Sequence, residues 1–197
     1  TATTELYTLS LHDALPILVK FENSAEVWVL QPHPAPRGDI IYKNDLGHPV
    51  LRATRLGGLT VFTPDRPSGA PAALAGGSSP LRLPVLGPEA LLQRLAQASA
   101  RASRAARRLI PFEADASPDT APLVADAAMV AAEAVVRMSA QPGGRATLSG
   151  VNKVTLVEGR RPGASLRAGV ILITITPEDG MAGRPSSERI AAAAGSR

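Results

Sequence analysis

The 197-residue chain contains no cysteine. That excludes a disulfide framework, a thiolate zinc site and a cysteine nucleophile. Aromatic residues make up only 3% of it, so any core must be assembled from Ala, Val, Leu and Ile, and nucleic-acid bases would find few rings to stack on. No apolar run approaches the roughly 18 residues that a membrane-spanning helix requires. Lysine is almost missing: apart from Lys20, Lys43 and Lys153, the 21 basic residues are arginine. Heavy use of Arg, Ala, Gly and Pro is what GC-rich coding imposes, so no arginine gains a role from frequency alone. Neither a G-x-S-x-G nucleophile elbow nor a G-x-x-x-x-G-K-[ST] phosphate loop occurs.

What is present is organised around Arg37–Pro64, RGDIIYKNDLGHPVLRATRLGGLTVFTP. Alternating apolar residues predict three antiparallel strands, led by Ile40-Ile41-Tyr42, Val50–Leu56 and Leu59–Thr63. Asn44-Asp45-Leu46-Gly47 and Gly57-Gly58 supply turns that tolerate positive φ. Leu18–Phe21 and Val27–Leu30 read as a preceding hairpin with Trp28 as a core anchor. The alternating prolines of 31–36 predict an extended connection outside the ladder. Residues 65–80, rich in Pro, Gly and Ser, read as an exposed loop, and Leu81, Leu83 and Val85 alternate as an edge strand would.

Helical spacing then dominates. Pro88–Leu109 predicts a helix with Pro88 in its first turn and Arg107-Arg108 near its negative end. Ile110–Ala114 reads as a short strand. Pro118–Met138 predicts a second helix, capped by Ser117 or Thr120 and apolar on several faces, hence buried on more than one side. An antiparallel helix pair packed on the sheet is the economical arrangement. Arg145–Leu148, Val151–Glu158 and Leu166–Thr176 read as further antiparallel strands, with Val170–Ile175 covered on both faces. Glu188–Ala194 forms a short C-terminal helix capped by Ser186 or Ser187. The expected fold class is α+β: an antiparallel meander, a helix pair, further strands and a closing helix, as one domain over 18–197 with one core.

Few residues offer chemistry. Asp39, Asp45 and His48 could serve a hydrolase-like enzyme as base and orienter, but Asp45 and His48 flank a turn where both types are common for conformational reasons. The same three are too few for a metal site and lack a recognised spacing, so neither metal nor cofactor is expected. The tripeptide Arg37-Gly38-Asp39 carries no weight. On the first helix, Arg94, Arg101, Arg104 and Arg108 share one face that could meet phosphates, anionic lipid or an acidic partner. The binding candidates are therefore those four arginines and the turn residues Asn44, Asp45 and His48. The leading expectation is a non-enzymatic binding or structural domain. The alternatives are the hydrolase and nucleic-acid or anionic-surface binding through the arginine face.

Two resemblances add to this. The motif over 37–64, followed by ARASRAARRLIPFEA and GRPSSERI, resembles an uncharacterised family of exported alphaproteobacterial proteins over residues 18–197. It implies export to the periplasm or cell envelope and a strand upstream of Leu18, and carries no assigned activity. Thr1–Ile17, ending YTLSLHDALPI, resembles one reading frame of a sequencing adapter and is expected to be non-native.

Overall fold

The computed structural model describes residues 4–6, 15–22, 24–73 and 81–195. The chain divides into two compact units, Thr1–Arg82 and Leu83–Arg197. Each has its own cluster of buried apolar side chains, so the single core expected over 18–197 is two. The helix pair supplies the reason. Its buried residues group with those of the second sheet, which follows it in the chain.

The first unit is a seven-stranded antiparallel meander, each strand pairing with the next. The strands are β1 (Thr4–Leu6), β2 (Ile17–Phe21), β3 (Val27–Pro34), β4 (Ile40–Lys43), β5 (Pro49–Ala53), β6 (Leu59–Thr63) and β7 (Arg66–Ala72). Period-two alternation puts one set of apolar side chains on one face. Directly opposed pairs build it: Ile17–Leu30, Val19–Trp28, Tyr42–Leu51, Leu51–Val61 and Ala53–Leu59. Ile17, Leu30, Tyr42 and Leu51 are all but completely buried, and Trp28 sits in the same cluster as expected.

Two proline-rich stretches depart from their sequence reading. Gln31–Pro34 is not a connection outside the ladder; it extends β3, with Pro32 opposite Tyr42 and Pro34 opposite Ile40. Proline lacks a donor on alternate residues only, and on the other flank β2 has already ended, since Ile17 pairs with Leu30. Likewise the first half of 65–80 is strand β7, pairing with β6. Its Pro67 and Pro71 are tolerated because β7 is an edge. The rest, 74–80, lies outside the described residues, and Leu81–Val85 is not a strand.

The second unit runs α1 (Pro88–Ala106), β8 (Phe112–Ala114), α2 (Ala121–Ala140), α3 (Gly144–Ser149), β9 (Lys153–Glu158), β10 (Gly163–Arg167), β11 (Val170–Ile175) and α4 (Ser187–Gly195). Its sheet has the order β10-β11-β9-β8. The β10–β11 pair is antiparallel, while β9 lies parallel to both β11 and β8. Helix α2 is thus the crossover between parallel neighbours that such a pairing requires. The helices pair, but they run in the same direction rather than antiparallel. Arg101, late in α1, meets Glu133, late in α2, and Arg108, just past α1, reaches the Ser149 carbonyl, past α2. Each helix leads into one strand of the parallel pair, which fixes that direction.

Local chemistry sets the boundaries. Helix α1 stops at Ala106, not Leu109, because Arg107 is left-handed (φ 55) and the Arg108 N–H bonds the Ser103 carbonyl. The chain folds back at once: Ser99 Oγ donates to the Ile110 carbonyl at 2.8 Å, and the Ile110 N–H donates to Ser103 Oγ at 2.9 Å. Leu109 is left 74% exposed. Residues 145–148 form helix α3 rather than a strand. At its start Gly144 packs so closely that a Cβ there would lie 1.6 Å from the Met138 carbonyl oxygen. The stretch 166–176 is no single strand either. Ala168 (φ 48) and Gly169 (φ 78) turn the chain, and a side chain at Gly169 would meet Asn152 Nδ2 at 2.4 Å. Along β11 full burial alternates with partial exposure, so Ile171, Ile173 and Ile175 are buried and the intervening residues are not. Serine 186 caps α4 as expected, its Oγ accepting the Arg189 N–H.

Helix α2 carries the core of this unit. Ala127, Ala128, Ala131, Ala132 and Ala134 are buried together with Val124, Val130 and Val135, and a methyl group is the most that such close packing accommodates. Replacing Ala128 by Leu is expected to destabilise the second unit by about 1–3 kcal/mol through overpacking, read as a lowered denaturation midpoint, while the conservative Ala128→Ser changes it less.

Candidate functional site

The turn residues Asn44, Asp45 and His48 sit between β4 and β5. Asn44, buried, accepts the Leu46 N–H at 3.1 Å and the His48 N–H at 2.9 Å through one side-chain oxygen, and its own N–H donates to the His48 carbonyl. This is an Asx-type arrangement that fixes the turn. Asp39 lies at the other end of β4. Five residues at about 3.3 Å each put it roughly 16 Å along the strand from the turn, so Asp39, Asp45 and His48 do not converge.

Asp39 itself is buried and engaged. Arg52, on the neighbouring strand β5, donates to Asp39 Oδ2 through both Nε (2.9 Å) and a terminal nitrogen. That hydrogen bond, with the Arg52 charge, holds the Asp39 carboxyl below its ordinary value against the opposing effect of burial. Arg37 and Gly38 take positive φ ahead of it, so the Arg-Gly-Asp tripeptide serves to swing Asp39 onto Arg52.

The four arginines of the α1 face divide. Arg94 and Arg104 are exposed. Arg101 is half-buried in an ion pair with Glu133 of α2. Arg108 is spent on the fold, donating to the Ser149 carbonyl and to Asn152 Oδ1.

Sequence reasoning missed a polar network centred on α2. Glu133 also faces Arg137 across 3.7 Å, and Arg137 faces Glu188 of α4 across 3.6 Å. A chain of alternating charge therefore ties α1 to α2 and α2 to α4. Beside it, Arg184, with a side chain only 2% exposed, donates from Nε to Asp126 Oδ2 on α2. The signal was available. Asp126, Glu133 and Arg137 recur at spacings of seven and four in a helix otherwise apolar all round, which places them on one stripe. Among the described residues no group of three or more His, Asp or Glu is placed to hold a metal ion. Nor is any helix among them long and apolar enough to cross a membrane.

Two predictions follow from these pairs. The Asp39 pKa is lowered on folding, so the stability it contributes is present above the ordinary carboxylate value near 3.9 and is lost as pH falls through the lowered folded value. Acid titration of unfolding should show Arg52→Gln losing stability already at neutral pH and flattening below about pH 4 relative to the parent. For the second pair, Arg184→Ala strands the Asp126 carboxylate and is expected to cost about 3 kcal/mol in urea unfolding, with much of that loss restored by Arg184→Met combined with Asp126→Leu.

Comparison with curated proteins and with solved structures finds no match. The profile of one family, described as a domain of unknown function (DUF4908), matches residues 6–194. With that match spanning both units and every polar group described above, the chain belongs to the DUF4908 family.

Proposed function

We propose that this chain is a non-enzymatic, exported or cell-envelope domain that binds an anionic partner through arginines of the second unit. One observation carries the reading. Arg94 and Arg104 stand exposed on a helix whose other two face arginines are held by Glu133 and by Ser149 and Asn152. The helix therefore presents cationic groups from a backbone that those bonds keep in place, which lowers the ordering cost of binding. The carboxylate a hydrolase would need, Asp39, is taken up by Arg52 and stands apart from Asp45 and His48. Export is supported by the resemblance of 18–197 to exported proteins.

The test is retention of the protein on purified sacculi, anionic vesicles and DNA across a salt series. A protein that neutralises anions with arginine should lose affinity steeply with salt, and Arg94→Gln with Arg104→Gln should flatten that slope by about one unit per removed contact. Retention that ignores both salt and these substitutions would overturn the proposal.

A further inference from the structure

One end of the second unit gathers basic residues from α1, the segment that follows it, β9 and β10. Arg104 closes α1, and Arg107 and Arg108 follow it. Lys153 opens β9, and Arg167 closes β10, next to the turn at Ala168-Gly169. Hydrogen bonds hold these segments together. Arg108 bonds Ser149 O and Asn152 Oδ1, and the N–H groups of Asn152 (2.6 Å) and Lys153 (3.4 Å) both donate to the Gly169 carbonyl. The Val154 N–H donates to Pro111 O at 3.0 Å, bringing the segment after α1 to the same edge. Register sets Lys153 opposite Val170 and Val170 opposite Arg167, so the two cations flank one apolar residue on adjacent strands. Glu113 meets this group, paired with Lys153 at 2.7 Å. Arg104, Arg107 and Arg167 are exposed. Among them stands Leu109, 74% exposed and pushed outward by the left-handed Arg107.

We infer that this end of the unit, Arg104, Arg107, Lys153 and Arg167 around Leu109, is a docking surface for an anionic phospholipid bilayer. The inference deepens the reading above and rests on its anionic partner. The choice of partner follows from the chemistry. Headgroup phosphates satisfy the guanidinium groups while the acyl boundary takes up Leu109, a pairing of charge and exposed apolar side chain that suits an interface. A nucleic acid would meet the charges but would leave the leucine in water, and it would want stacking rings that a chain with 3% aromatics scarcely provides. The surface is built on hydrogen-bonded turns and strand ends, so it requires no rearrangement to engage.

The experiment is co-sedimentation of the full chain with vesicles of phosphatidylcholine alone and of phosphatidylcholine mixed with phosphatidylglycerol, beside DNA, at several salt concentrations. Binding is expected on the anionic vesicles only. Each basic residue removed from an anionic surface costs roughly fivefold in partitioning, so Arg107→Gln with Arg167→Gln should lower it roughly 25-fold. Leu109→Ser should lower it up to roughly tenfold without changing the salt slope. Arg161→Gln, exposed in the turn between β9 and β10 at the opposite end of these strands, should leave it within about twofold of the parent, and thermal melts of all variants check that they fold. DNA retention that Leu109→Ser does not touch, or a loss confined to Arg94→Gln, overturns the bilayer surface while leaving the anionic-partner reading standing. Absence of retention on vesicles, sacculi and DNA alike overturns both.

Discussion

A helix that is apolar on nearly every side cannot be left facing water, and α2 imposes that constraint on the second unit. Its alanines and valines are buried on several faces, so it must be enclosed by partners rather than laid on a surface. Helix α1, the apolar face of β9 and β11, and α4 provide the enclosure, and their buried residues form one cluster with it. The small side chains make close approach possible. They also remove the tolerance for anything larger, because the neighbouring backbones leave no room into which an extra methylene could move.

Enclosure raises the question of what to do with the three charges α2 does carry. Asp126, Glu133 and Arg137 occupy one stripe, and each meets a partner from a different part of the unit: Arg184, Arg101 and Glu188. Desolvating these groups costs free energy, so such pairs are weak contributors to net stability. What they add is registry: a slide of α4 along α2 would separate Arg137 from Glu188 and leave Arg184 beside apolar surface. The first unit uses the same device where Asp39 and Arg52 join β4 to β5.

The polar residues that sequence reasoning put forward prove unequal in kind. Asn44 is the organiser of a turn, Arg101 and Arg108 are structural, and Arg94 and Arg104 remain on the surface. One helical face gave no means of separating these roles. The wheel of α1 records that four arginines share a side, whereas the partners that occupy two of them lie on α2, on α3 and just before β9, 32 to 44 residues away.

The meander, the helices and the closing helix were legible because periodicity, turn residues and caps are local quantities. Alternation at Ile40–Tyr42 and Leu59–Thr63 pointed to strands, proline and glutamate opened α1, and Ser186 announced α4. Local signals misled wherever two conformations were equally open to the same residues. The prolines of 31–34 and 66–72 join a ladder because their strands have a free flank there. Ala168-Gly169 breaks what reads as one β-run, and Arg107 ends a helix that its leucine spacing would continue to Leu109. Tertiary structure alone decided that the helices serve the second sheet, that they run in one direction, and that the two sheets have separate cores. Those outcomes depend on which surfaces meet, and a sequence pattern specifies that a face is apolar without specifying the face that covers it.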